Sequence, residues 1–168
     1  MSNPSPPKKD EPIIQKAIEV CRDRGAASEL RRYWSPATMH YAFPPLGRIG
    51  VRDPRSADAI TAALYAVNPN HRGGGLRLGY ALKKLGNGQE SFDSHVRRLL
   101  ASDSLDDAGD QLQRIFVRLS GSSVSLDYNT LLWDLRKWAN RSEEVKTSWG
   151  KDYWMSPQDV EAEEVLAS

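Results

Sequence analysis

Apolar residues recur at helical spacing along almost the whole chain, and no stretch alternates apolar and polar positions for long enough to form a half-buried strand. The pattern predicts an all-α fold of about eight helices. In "EPIIQKAIEVCRDRG", after a candidate cap at Asp10, Ile14, Ala17, Ile18 and Cys21 fall at i, i+3, i+4 and i+7, and Gly25 is placed to stop the helix. A short basic helix follows in "SELRRYW". "SPATMHYAF" begins another, with Ser35 as cap and Pro36 in its first turn, before Pro44 and Pro45 end it. In "SADAITAALYAV", Ser56 caps a helix whose Ala57, Ile60, Leu64 and Val67 line one stripe.

Beyond the loop "NPNHRGGG", the helix "LRLGYALKKLG" carries Leu78, Ala81, Leu82 and Leu85 on its buried side, with Arg77, Tyr80 and Lys84 opposite. "SFDSHVRRLLAS" turns Phe92, Val96, Leu99 and Leu100 inward and leaves Arg97 and Arg98 toward the edge. "SLDDAGDQLQRIFVRLS" starts at a Ser104 cap, buries Leu105, Ala108, Leu112, Ile115 and Leu119, and stacks Arg114 and Arg118 one turn apart. "LDYNTLLWDLRKWAN" sets Tyr128, Leu131, Leu132, Leu135 and Trp138 on a core face. A separate last helix, "SEEVKTSWGKDYW", is expected from a Ser142 cap and the spacing of Val145, Trp149 and Tyr153. The expected division is a lead-in at 1–11, an N-terminal helical lobe at 12–72, a C-terminal bundle at 73–156 and an acidic tail at 157–168.

Composition narrows the classes. Hydrophobic residues make up 39% of the 168 residues and charged residues 27%. No apolar run approaches the roughly 20 residues of a membrane helix, and the proline-rich start lacks a signal peptide's apolar core, so a cytoplasmic protein is expected. The single cysteine, Cys21, reads as a small buried hydrophobe.

The net charge of +1 conceals an uneven distribution. From Arg22 to Arg98, 13 basic residues face 6 acidic ones, a local net of +7, and 11 of the 13 are Arg, whose planar fork suits phosphate better than the Lys ammonium. The last ten residues carry four acids and no base. A solvated surface and a polyanion-binding face both fit this distribution.

Catalytic motifs are missing where they would be needed. Gly74 and Gly79 have the separation of a phosphate loop, but Tyr80 and Ala81 stand where Lys and a hydroxyl residue are required. Leu78 occupies the position of the third glycine of a dinucleotide fingerprint, and no strand is expected ahead of it. His40, His71 and His95 lie far apart, and one cysteine supplies no paired metal-ligand spacing. Asp106, Asp107 and Asp110 fit the first turn of a helix, where acids meet the positive end of the dipole. The glycines after His71 read as conformational, and no enzyme, metal or cofactor is expected.

What the sequence does offer is arginine on helices beside aromatic residues, a combination suited to a sugar-phosphate backbone. The candidates are Arg31 and Arg32 in "ELRRYW"; Arg77, Lys83 and Lys84 in the glycine-led helix; Arg97 and Arg98; Arg114 and Arg118; and Arg136 and Lys137. Tyr33 and Trp34 either stack bases or pack, and packing is favoured because the five Trp and six Tyr must also build the core.

In order and spacing, "ELRRYWSP", "YAFPPLG", "GGLRLGYALKKLG", "SFDSHVRRLLASDS", "QLQRIFVRL", "LDYNTLLWDLRKW" and "VKTSWGKDYW" resemble the CasB family, the small subunit of the type I-E CRISPR surveillance complex Cascade. The resemblance spans roughly 120 residues. It implies two helical lobes without catalytic activity, paired head to tail with a second copy. It also implies contacts with Cascade backbone subunits and the large subunit, support for crRNA and target DNA, and retention of the displaced strand. Arg31, Arg32 and Arg114 match basic positions of that family, whereas Tyr80 stands where its members often have Arg. Two other readings remain: a protein–protein scaffold whose arginines form ion pairs, and a general nucleic-acid-binding protein with no CRISPR role.

Overall fold

A computed structural model describes residues 12–157; the lead-in, the candidate cap Asp10 and the acidic tail from residue 158 onward lie outside them. The described residues form an all-α structure of eight α-helices with one short extended segment and no sheet.

The chain ahead of the fourth helix departs from the sequence expectation at three turns. Helix α1 (Pro12–Cys21) ends before Gly25, because Asp23 Oδ1 accepts the Gly25 amide at 2.9 Å and starts α2 (Arg24–Arg31). Gly25 therefore opens a helix instead of closing one. Residues Arg32–Trp34 tighten into a 3₁₀ turn, and Ser35 is extended rather than capping a helix. After a second 3₁₀ turn at Met39–Ala42, Pro44 and Pro45 begin α3 (Phe43–Ile49) instead of ending a helix. Their missing N–H groups cost nothing in a first turn, where no intrahelical acceptor exists. Gly50, at φ 101°, closes α3 in a left-handed conformation that a side chain would strain.

Helix α4 (Ala57–Val67) is the axis of the molecule. Ser56 caps it, its Oγ accepting the Ala59 amide at 3.2 Å. The expected single stripe is too narrow: Ala57 and every residue from Ala59 to Ala66 are buried. Five of these are alanines, at 57, 59, 62, 63 and 66, small enough for α1, α2, α7 and α8 all to pack on α4. Thr61, buried among them, donates its hydroxyl to Ala57 O at 2.8 Å, so its polar group is satisfied.

The glycine-rich loop contains the one extended segment, β1 (His71–Leu76), bridged at both ends to Leu126. Glycine carries no side-chain alternation, and the partner lies about fifty residues away, so apolar periodicity could not reveal it. Helices α5 (Leu78–Gly86), α6 (Glu90–Leu100) and α7 (Leu105–Ser120) follow. Ser104 caps α7 through the Asp107 amide at 3.1 Å, with Asp106 and Asp107 in its first turn as expected.

Helix α8 (Tyr128–Gly150) joins the two helices expected around Ser142 across a kink at the residue before it. Arg141 is non-helical at φ −139°, ψ 39°, so the chain kinks without breaking. The buried stripe runs on through Trp138 to Val145, seven residues later, and thus both halves serve the same core. A π-type turn, Lys151–Met155, completes the described chain and packs on α5 and α8. Core residues from all eight helices form one continuous cluster.

Candidate nucleic-acid interface

The first basic cluster sits where α2 passes into its 3₁₀ turn. Arg31 and Arg32 are both exposed. Arg31 Nη1 donates to Ala66 O at 3.4 Å, whereas the Arg32 guanidinium lies 4.5 Å from the centre of the Tyr41 ring. Tyr33 and Trp34 turn inward, as packing requires: Tyr33 is buried, donates its hydroxyl to Pro54 O at 2.6 Å and meets Trp34 edge to face. The exposed rings of this cluster are Tyr41 at 43% and Phe43 at 46%, which periodicity did not single out. Tyr41 comes beside Arg32 because each sits in a 3₁₀ turn, which a straight helical reading hides. Cys21, half-buried behind α2, packs against the core as expected, and burial pushes its thiol up to about 11, with Arg31 opposing.

The glycine-led segment has a structural explanation at each glycine that matters. Gly74, at φ 74°, donates its amide to Asp127 Oδ2 at 3.1 Å, while Asp127 Oδ1 caps α8 through the Asn129 amide. The Tyr128 amide donates to His71 Nδ1 at 3.1 Å. These bonds staple β1 to the start of α8 and engage the Gly74 amide with a carboxylate. Gly79 lies against Asp152 and Trp149, and Gly86 against Phe92 and Tyr153, so these two glycines admit the C-terminal turn onto α5.

Within α5, the candidate cations divide. Arg77 pairs with Asp152 Oδ1 at 3.0 Å and lies 4.9 Å from the Tyr80 ring centre, with about half its side chain exposed. Burial raises the Asp152 pKa, and Arg77 opposes that rise. Lys83 donates to Ser156 O at 2.6 Å, Ser156 Oγ at 3.0 Å and Pro157 O at 2.9 Å. Those three acceptors match the three ammonium protons, which makes Lys83 a clasp on the C-terminal turn. Lys84 is exposed.

On α6 and α7, Arg97, Arg98, Arg114 and Arg118 are all exposed. The Arg97 guanidinium lies 5.3 Å from the Trp154 ring centre. Arg98 and Arg118 approach His95 from the two helices; partial burial, then Arg118 and Arg98, hold its pKa below the usual histidine value. Arg114 faces Asp110, whose pKa burial raises against the pull of Arg114. On α8, Arg136 Nε pairs with Asp58 Oδ1 at 2.9 Å, and Lys137 sits half-buried near Asp134. Most of the candidate cations thus fall into three places: the end of α2, the α6–α7 edge, and intramolecular contacts that engage Arg77, Lys83 and Arg136, with Lys84 on α5 and Lys137 on α8 standing apart.

Two clefts among the described residues bear on the basic clusters. One of about 570 Å³ is lined by Glu143, Glu144 and Asp152 against Arg77 and Lys151, a mixed-charge rim unsuited to a polyanion. The other, about 250 Å³, lies between Tyr33, Trp34 and α7. Among the described residues, no group of three His, Cys, Asp or Glu side chains is placed to hold a metal ion, and no helix is long and apolar enough to cross a membrane.

Fold and surface together define the class: an all-α protein whose chemistry is arginine displayed on an alanine-centred helical core. The family model for CRISPR-associated protein Cse2 matches residues 24–154, and the chain belongs to that family. A CRISPR-associated protein Cse2 from Thermus thermophilus is 28% identical over 120 residues, covering 71% of this chain and 69% of the relative. The fold is similar to a crystal structure of a Cse2-family protein from the same organism, with a TM-score of 0.69 at 22% identity over 86% of this chain and 96% of that one. CasB from Thermobifida fusca gives 0.65 at 17% identity, covering 84% and 94%. M. ruber CasB gives 0.65 at 19%, covering 93% and 98%. The resemblance to CasB read from the order of motifs is therefore borne out.

Proposed function

We propose that this chain is a non-catalytic small subunit of a type I-E Cascade complex in the cytoplasm, where it binds nucleic-acid backbone, supports crRNA and target DNA and stabilises the R-loop. The observation that carries the proposal is the outward display of Arg31, Arg32, Arg98, Arg114 and Arg118 on a protein of the Cse2 family. Exposed guanidinium groups neutralise phosphates without reading bases, which suits a complex in which base pairing supplies sequence specificity. A second copy of the chain, Cascade backbone subunits and the large subunit are its proposed protein partners.

A scaffold role draws support from Arg77–Asp152 and Arg136–Asp58, which show arginines of this chain already used in protein ion pairs. Replacing Arg31, Arg32 and Arg114 together with Ala separates the readings. A nucleic-acid clamp assembles into Cascade and forms a less stable R-loop. A scaffold fails to assemble.

A further inference from the structure

Two aromatic residues are partly exposed on an arginine-bearing stretch of the chain that carries no acid. Tyr41 is 43% exposed and Phe43 46% exposed, two residues apart where the second 3₁₀ turn enters α3. Large rings are usually withdrawn from water, as Tyr33 and Tyr128 are here, because exposing apolar surface costs free energy. The surroundings indicate what covers the two rings. Arg32 lies 4.5 Å from the Tyr41 ring centre, and the His40 ring is 4.4 Å away at a tilt of 32°. From Arg31 to Arg52 the chain carries four arginines and no Asp or Glu. The acids of the neighbouring α7, Asp106 and Asp110, line the cleft on the Tyr33 side, where Asp106 pairs with Arg55.

We infer that Tyr41 and Phe43, with Arg32, form a stacking platform for unpaired bases, so that this end of α2 takes single-stranded nucleic acid in preference to duplex. The Arg32 guanidinium lies against Tyr41, and Phe43 is exposed two residues further on: π faces accept bases of any sequence, and a guanidinium beside one meets the phosphate or extends the stack. A duplex offers phosphates to Arg32 but no free base face to the rings. An apolar protein segment would cover the rings equally well, but it would bring nothing to balance four arginines without an acid among them. The inference rests on the nucleic-acid reading above and goes beyond it by naming the strand type and the residues that select it.

The test measures binding of the full chain to a short fluorescein-labelled oligothymidylate and to a labelled duplex at low salt, by anisotropy. Tyr41→Ala with Phe43→Ala should weaken single-strand binding by roughly tenfold for each ring removed and leave duplex affinity unchanged. Tyr41→Trp with Phe43→Trp should restore or strengthen it. Thermal midpoints are measured on the same samples, and restored binding in the Trp pair excludes a folding defect as the cause. If the wild type binds both probes and the alanine pair binds single strands equally well, the platform is overturned while the backbone-binding reading stands. If the wild type binds neither probe and the alanine pair instead blocks assembly with other Cascade subunits, the patch is a protein-docking surface and both readings fall.

Discussion

Gly79 of α5 lies directly against Asp152 of the C-terminal turn: a methyl group there would overlap Asp152 Cβ and sit 2.8 Å from the carbonyl oxygen of Trp149. The backbone of one element occupies the space a side chain of the other would fill. Gly79→Ala must push the turn away, and overpacking of this kind costs about 1–3 kcal/mol. A lower urea midpoint with an unchanged slope is the expected result.

Lys83 and the Arg31–Arg32 pair should separate stability from binding. Lys83→Ala removes three hydrogen bonds to Ser156 and Pro157, so it should lower stability by on the order of 1 kcal/mol and leave nucleic-acid affinity unchanged. Arg31→Ala with Arg32→Ala should do the reverse, and should also reduce the steepness of salt dependence by about 0.7 for each single-strand phosphate no longer neutralised. Thermal denaturation and anisotropy on the same samples distinguish the two outcomes.

Tyr128 is the buried polar link between α4 and α8. Its hydroxyl donates to Asn68 O at 2.6 Å and accepts from Asn68 Nδ2 at 3.2 Å, in surroundings that raise the phenol pKa. Tyr128→Phe leaves Asn68, itself buried, with unpaired polar atoms. A loss of about 1–3 kcal/mol in unfolding free energy is expected, measured by chemical denaturation.

His95 should give stability a pH dependence just below neutrality. The unperturbed group titrates at 6.5, and in the fold partial burial, then Arg118 and Arg98, hold it lower. Between the two values the unfolded chain binds more protons, so stability is lost as pH falls through that interval and is fully present above 6.5. His95→Gln should flatten the slope there. A phosphate seated between Arg98 and Arg118 would also return the His95 pKa upward, visible as a shift of its imidazole titration by NMR when an oligonucleotide is added.

Much of the fold is legible in the sequence because its signals are local. Ser56 and Ser104 cap helices through amides three residues away, and the α7 stripe of Ala108, Leu112, Ile115 and Leu119 is buried as spaced. Other features depend on distant partners or on a rule with two outcomes. Proline ends a helix in its interior and begins one in its first turn, so Pro44 and Pro45 could be read either way from spacing alone. Gly25 shows the same ambiguity, decided here by the carboxylate of Asp23. The pairing of β1 with Leu126 and the clasp of Lys83 on Ser156 join segments whose sequences carry no mark of each other.

The candidate interface is legible in residue type and only partly in placement. Helical spacing puts Arg97, Arg98, Arg114 and Arg118 toward the surface, and they are exposed. It does not distinguish Arg77 and Arg136, which pair with Asp152 and Asp58 in other elements, from the rest. Tyr41 and Phe43 escape it because their exposure follows from two 3₁₀ turns, where the 3.6-residue period no longer sorts inward from outward positions.

The central claim is that charge, displayed without base recognition, is what this chain brings to its complex. The most direct measurement is the affinity of the purified protein for single-stranded oligonucleotides of several sequences across a salt series. Log affinity falling steeply and linearly with log salt, with nearly the same line for every heteropolymer, is the predicted result. Affinity independent of salt, or confined to one sequence, would contradict it.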